Sequence, residues 1–148
     1  MEQIAQANPD TIVALFIGGI PGPTRSSFYK AQLTGNVYCP VMRNRIVHVV
    51  ALLWPRARAE SFLLWVQVSK IPGHNPPLSD DAVVGFWAQQ TQQPIVATVP
   101  SLVQHEDVVP STVSSAERQG KNRNRVAVGF IGDADPLELD WRNVTIAV

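Results

Sequence analysis

The sequence predicts a single α/β domain, residues 1–148, in which helices pack on a mixed sheet. Segments typical of buried strands alternate with two helical segments, which favours a mixed α/β layer over a helix bundle or a sandwich. The hydrophobic fraction of 45% and the charged fraction of 16% exclude a disordered chain. A chain of 148 residues is long enough to bury a core, and it shows neither a repeat nor a linker.

The strand predictions come from continuous β-branched and apolar runs. TIVALFIGG (11–19) ends in a glycine pair and predicts a buried strand, and IPGPTRSS after it predicts a loop. Residues 28–45 have no clean period and predict a loop with short pieces of structure. RIVHVVALLW (45–54), PIVATV (94–99) and VAVGFIG (126–132) predict three further strands, and residues 110–125 predict a long exposed loop.

Two segments have the features of helices. Pro55 occupies a first helical position, where its missing N–H costs nothing. RARAESFLLWVQVS after it predicts one apolar face, made of Ala59, Phe62, Leu63 and Val66. After a proline-rich loop at 70–79, Ser79 is a capping residue for a helix that begins with Asp80 and Asp81.

Charge and cysteine content exclude several function classes. Twelve basic residues balance twelve acidic ones, so no overall field attracts nucleic acid. The single cysteine, Cys39, excludes an internal disulfide framework and a cysteine-based zinc site. The polar N-terminus does not resemble a signal peptide, and the longest apolar run (46–54) is too short to cross a bilayer. We therefore expect a soluble intracellular protein without membrane association.

The first candidate site is LSDDAVVGFW. Asp80 and Asp81 at a helix N-terminus are explained by the helix dipole alone. The rigid PGHNPP loop before them, with His74 and Asn75, also suits an acceptor-binding loop. In that case a carboxylate could take a proton from an attacking hydroxyl or help to hold a hard cation.

The second candidate is PSLVQHED. His105 follows a predicted strand and is adjacent to two carboxylates, which would raise its pKa if they are close and ionised. A neutral imidazole there could bind a divalent metal, while the alternative is a structural loop histidine. The chain contains no G-x-G-x-x-G, P-loop, G-x-S-x-G or H-E-x-x-H motif, which excludes the simplest nucleotide-binding and hydrolase classes.

These segments together resemble the C-terminal half of phage-encoded glycosyltransferase-like proteins of the A-type fold. The resemblance rests on a proline-started helix after a strand, DDA opening a helix that ends in an aromatic, the VPSLVQH element and a terminal DW. It covers most of the chain from about residue 11. It implies that the sheet and helices form the acceptor half of such a transferase.

The resemblance also implies residue roles. Asp80 or Asp81 would be the general base, and His105 would contact a manganese or magnesium ion or the donor diphosphate. His74 and Asn75 in the acceptor loop, together with Trp54 and Trp87, become candidates for binding substrate. Trp65 is a further stacking candidate, and for at least two of the three tryptophans a place in the core is the competing interpretation.

The donor half of the family has no counterpart here, because no D-x-D motif precedes residue 11 and DAD (133–135) follows the last predicted strand. One hypothesis is therefore a transferase module that uses a nucleotide-sugar donor and needs a second chain to bind it. The alternative is a non-enzymatic phage structural or accessory protein that binds a partner or self-associates. The first predicts a location in the host cytoplasm, and the second a place in the virion.

Overall fold

A computed structural model describes residues 1–18, 23–41, 51–69, 80–104, 127 and 129–141. In chain order the elements are helix α1 (Glu2–Ala7), strand β1 (Ile12–Ala14), helix α2 (Pro23–Thr34), strand β2 (Tyr38–Pro40), strand β3 (Leu52–Leu53), helix α3 (Arg56–Val68), helix α4 (Asp80–Gln90), strand β4 (Ile95–Thr98) and a 3-10 helix (Pro136–Glu138). The chain is therefore mixed α/β, as the alternation of runs predicts.

The four strands form one mixed sheet in the order β2-β4-β1-β3. The two central strands are parallel, with Ile12 opposite Ile95 and Ala14 opposite Ala97. The edge strands β2 and β3 are antiparallel to their neighbours. Every residue of β1 and β4 is buried, which explains why these strands appear in the sequence as unbroken apolar runs rather than as an alternation.

Both faces of the sheet are covered. On one face the sheet packs against α2 and α4, through the buried residues Ile12, Ala14, Phe28, Ala31, Cys39, Trp87, Ala88, Ile95 and Ala97. On the other face it packs against α1 and the segment that follows the 3-10 helix, through Ile4, Val13, Leu15, Tyr38, Val96 and Trp141. The central strands thus lie between two apolar layers, which is the arrangement that shields a parallel pair from water.

Backbone pairing continues beyond the carboxyl ends of β1 and β4. The Ser101 hydroxyl accepts a hydrogen bond from the Ile17 N–H at 3.3 Å, and the Ser101 N–H donates to the Gly129 carbonyl at 3.0 Å. Isolated bridges join Gly18 to Ala127 and Ser101 to Phe130. Ser101 is fully buried, so its hydroxyl joins two chain segments and is a structural group.

Of the predicted strand at 11–19, the structure forms β1 at Ile12–Ala14 only, while the prediction at 94–99 is confirmed as β4. Both helix predictions are confirmed as α3 and α4. The loop predicted for IPGPTRSS is wrong from Pro23 onward, because α2 begins there. Within residues 28–45, where a loop with short pieces of structure is predicted, the described part contains the rest of α2 and the short strand β2. The sequence of α2 has little helical amphipathicity. Its helix is held by Phe28 and Ala31, which pack into the core, so tertiary contacts override a weak local signal.

The apolar face predicted for α3 holds for Phe62 but is wrong for Leu63 and Val66. Leu63 is 58% exposed and Val66 is 37% exposed, while Phe62 and Trp65 contact the buried cluster. The aromatic side chains bury the larger area, so they determine which side of α3 turns inward.

The prediction of a strand at 126–132 is not met where the structure describes this segment. Ala127 and Phe130 form only isolated bridges, and Gly129 and Gly132 both adopt a positive φ that interrupts an extended strand. Of the predicted strand at 45–54, the described part contains β3 alone. The predicted loops at 70–79 and 110–125 lie outside the described residues. Among the described helices, none is long and apolar enough to span a membrane.

Candidate functional site

The structure separates the candidate residues into three groups. Asp80 and Asp81 are the first two residues of α4, and Asp81 is half-buried. Trp54 follows β3, and Trp87 lies in the second half of α4. His74, Asn75 and His105 lie outside the described residues, so the expected approach of His105 to the aspartates stays a prediction.

An aromatic cluster brings Trp54 and Trp87 together. Their ring centroids are 5.6 Å apart, and the Phe62 ring lies 5.2 Å from Trp54 and 5.4 Å from Trp87. Trp65 extends the cluster through Phe62, at 6.4 Å, and its indole N–H donates to the Gln90 side chain at 3.2 Å. These separations lie within the range at which aromatic rings attract each other, so the cluster holds the Trp54 ring in a defined orientation.

Trp87 is the core residue of this cluster. Its side chain is 0% exposed, and it packs against Ile12, Ala88 and Ile95 at the start of the central strands. Its indole nitrogen has no hydrogen-bond partner among the residues that the structure describes. A ring that is fully buried offers neither face to a sugar, so its position favours the competing interpretation of Trp87 as a core aromatic.

Trp54 lines a pocket of about 430 Å³ between α1, the connection from α1 to β1, the end of β3 and the start of α3. We call this cavity the Trp54 pocket; its described lining is Ala5, Asn8, Pro9, Thr11, Leu53, Trp54, Pro55, Arg56 and Ala57. The volume falls within the range of small-molecule sites. Pro9 and Pro55 have rings fixed by their own geometry, so two rigid walls adjoin the indole.

Polar groups around the Trp54 pocket are held in place by local contacts. The Asn8 side chain donates to the Ile4 carbonyl at 3.0 Å, and the Thr11 N–H donates to the Asn8 carbonyl at 3.4 Å. The Arg56 guanidinium forms a 2.8 Å ion pair with Glu60, but its side chain is 92% exposed. An exposed pair of this kind is weak, so a ligand oxygen can compete for the Arg56 donors.

One long-range contact fixes α3 against the start of β1. The Arg58 side chain donates to the Asp10 carbonyl at 3.0 Å and lies 4.0 Å from the Asp10 carboxylate. Arg56 and Pro55, at the beginning of the same helix, thereby keep their position beside Pro9. The contact between Arg58 and Asp10 therefore holds the pocket wall formed by α3 against the wall formed by the α1–β1 connection.

Asp81 lies away from the Trp54 pocket and is absent from its described lining. Six residues separate it from Trp87, which corresponds to about 9 Å along a helix axis. Its place in the first turn of α4 suits a carboxylate that interacts with the helix dipole. Among the described residues, no group of three or more His, Cys, Asp or Glu side chains is placed to hold a metal ion.

Sequence reasoning named Trp54 but missed its neighbours Asn8, Pro9, Thr11 and Arg56. Two chain segments supply these neighbours, and each contains a proline: Pro9 in NPD and Pro55 in WPR. These prolines are the signal in the sequence that marks the two turns as rigid. Nothing in the sequence indicates that residues 45 positions apart share one cavity, because this depends on the pairing of β3 with β1. Comparisons of the chain with protein-family models, with curated proteins and with solved structures found no match.

Proposed function

We propose that this protein binds a saccharide in the Trp54 pocket, as the acceptor module of a glycosyltransferase-like system. The observation that carries the proposal is the placement of Trp54, a half-buried residue of the pocket lining whose ring packs against Phe62 and Trp87. A sugar ring presents C–H groups with partial positive charge, and these are attracted to the negative face of an indole.

The remaining lining supplies the second requirement of a sugar site, which is a small number of polar groups beside an apolar surface. Thr11 and Arg56 offer side-chain donors, whereas the buried Asn8 side chain is bonded to the Ile4 carbonyl and fixes the wall between them. These groups lie on elements that are fixed by hydrogen bonds before a ligand arrives. A preformed site loses little conformational entropy on binding.

Sugar transfer is the further part of this proposal. In it Asp81, or Asp80, deprotonates the acceptor hydroxyl, which then attacks the anomeric carbon of a nucleotide-sugar as the diphosphate leaves. His105 and a manganese or magnesium ion would stabilise that diphosphate. A second chain would supply the donor site. Asp81 is absent from the described lining of the Trp54 pocket, so in this proposal the acceptor extends from the pocket toward the first turn of α4.

The test is a titration of the purified protein with a panel of mono- and oligosaccharides, followed by isothermal calorimetry. We expect the Trp54→Leu variant to lose at least roughly tenfold in affinity, since leucine keeps an apolar side chain but lacks the flat ring face. Trp65→Phe is the matched control, because Trp65 belongs to the same cluster but is not part of the pocket lining. Equal binding by Trp54→Leu and the unmodified protein would refute the proposal, as would binding of no saccharide at all.

One observation favours the second candidate function, a non-enzymatic phage structural or accessory protein. The outer side of α3 exposes several large aliphatic residues, which is typical of a surface that contacts another protein. A partner chain recovered with the unmodified protein, but lost when that surface is made charged, would support this function.

A further inference from the structure

A second cavity lies between α1, the segments that follow β1 and β4, and the 3-10 helix. Its volume is about 200 Å³, and its described lining shares no residue with the Trp54 pocket. We call it the Trp141 pocket; its lining includes the buried residues Ile4, Leu15 and Trp141 and the less buried Leu102, Val103 and Leu137. The cavity therefore reaches from the surface to the apolar core on the α1 side of the sheet.

The walls of the Trp141 pocket are held by hydrogen bonds between distant parts of the chain. The Leu15 carbonyl accepts from the Leu102 N–H at 2.8 Å and from the Val103 N–H at 3.2 Å. The Trp141 indole N–H donates to the Pro136 carbonyl at 2.7 Å. These contacts fix the walls in the absence of a ligand, so binding costs little conformational entropy.

The same bonds leave few polar groups for water inside the pocket. The carbonyls of Leu15 and Pro136 are used, and the Ile4 carbonyl accepts from the Asn8 backbone and side chain. Within the described lining, the exposed Gln3 has the only polar side chain apart from the bonded Trp141 indole. An ordered water needs two to four polar partners. Water in this cavity is therefore poorly held, and an apolar ligand gains free energy by displacing it.

The volume of the Trp141 pocket indicates the size of the ligand. An apolar cavity of about 150 Å³ in a protein core stays dry and binds benzene. The Trp141 pocket, at about 200 Å³, has room for such a ring with a short substituent. A sugar with a ring of the same size fits this lining poorly, because its hydroxyl groups would lose their hydrogen bonds to water without replacement.

We propose that the Trp141 pocket is a binding site for a compact apolar molecule, a substituted benzene or a branched hydrocarbon of that size. The ligand packs against Ile4, Leu15 and Trp141, and the exposed Leu137 side chain adds apolar surface at the rim. This site is independent of the Trp54 pocket and of sugar binding there.

The experiment is an NMR titration of the ¹⁵N-labelled full-length chain with toluene, and with inositol as a polar ring of similar size. The Trp141 indole N–H signal reports on this pocket, and the Trp54 indole signal reports on the other one. We expect toluene to shift the Trp141 indole and the Leu102 and Val103 amides saturably, with a Kd of about 1 mM, and to leave the Trp54 indole unchanged. Inositol should produce no saturable shift at Trp141.

Two variants locate the site. Val103→Phe places a larger side chain at the half-buried position in the lining, so toluene affinity should fall at least roughly tenfold. Leu137→Ala removes apolar surface from the rim and should lower the affinity roughly threefold. Leu137 is 70% exposed, so this variant should fold even if Val103→Phe does not. Leu33→Ala is the matched control, because Leu33 is 88% exposed on α2 and lies outside the lining.

Saturable toluene binding that Leu137→Ala weakens and Leu33→Ala leaves unchanged would support the site. The proposal would be overturned if toluene gave no saturable shift, if inositol gave an equal one, or if toluene shifted Trp54 but not Trp141. Equal affinity in Leu137→Ala and the unmodified protein, or an equal loss in Leu33→Ala, would overturn it as well.

Discussion

Substitution of Gly129 by alanine tests the packing between α2 and the segment that pairs with Ser101. Gly129 has φ of +54°, and a methyl group added there would lie 2.8 Å from Cε1 and Cζ of Phe28. Phe28 is 0% exposed and belongs to the core on the α2 side of the sheet. Because its ring is enclosed, it cannot move away without disturbing its neighbours.

Two costs add in the Gly129→Ala variant. An alanine in the left-handed region costs about 1–2 kcal/mol relative to glycine. Overpacking against an enclosed ring costs a further ~1–3 kcal/mol. The predicted loss is therefore about 2–5 kcal/mol, a large part of the roughly 5–15 kcal/mol that stabilises a typical domain.

Gly132 provides the control, because its φ is +66° but a methyl group there would meet no atom within 4 Å. Gly132→Ala should lose only the backbone cost, about 1–2 kcal/mol. Urea unfolding followed by circular dichroism and fluorescence measures both free energies. Phe28→Leu, which removes the contacted ring atoms, should cost less in the Gly129→Ala background than alone. Equal losses for the two glycine variants, or strict additivity with Phe28→Leu, would refute the reasoning.

Three further predictions concern the metal, the transfer reaction and Cys39. Calorimetric titration with manganese should show saturable binding that His105→Ala abolishes; an unchanged isotherm in that variant would contradict the metal role. In transfer assays with a nucleotide-sugar and the donor-binding chain, Asp81→Asn should lower the rate at least roughly a hundredfold with folding retained, and full activity would remove Asp81 from the mechanism. Burial raises the pKa of the Cys39 thiol from 9.0 to about 12, so iodoacetamide at pH 8 should alkylate the folded protein roughly a thousandfold more slowly than the urea-unfolded chain. The same raised pKa means that only the unfolded chain loses this proton above pH 9, so stability should fall between pH 9 and 12 by up to about 1.4 kcal/mol per pH unit. Cys39→Ala should remove that contribution, and an unchanged slope would refute it.

The parts of the fold that the sequence predicted are those with a strong local pattern. The runs TIVALFIGG and PIVATV contain the buried parallel strands β1 and β4, because only an interior position accommodates such apolar segments. Pro55 marks the start of α3, and the aspartates at 80–81 mark the start of α4. Helix α2 was not predicted, because its own residues specify a helix only weakly. Its residue Phe28 is buried only when the helix packs against the sheet.

In the candidate site, too, the sequence predicts the residue types and the tertiary structure decides their roles. The sequence presents Trp54, Trp65 and Trp87 as similar aromatic residues, and helical spacing indicates only which of them are neighbours along a helix. The structure makes Trp87 a core residue and Trp54 a pocket wall, because α4 lies against the central strands whereas Trp54 follows an edge strand.

The sequence by itself therefore determined the α/β class, the positions of the two central strands and the starts of α3 and α4. These depend on composition and on contacts between residues close in the chain. Only the tertiary structure decided that residues 8–11 and 53–57 enclose one cavity and that α3 turns Leu63 and Leu64 outward. Burial is shared among elements distant in sequence, and the large aromatic side chains that gain most from it leave the smaller aliphatic ones at the surface.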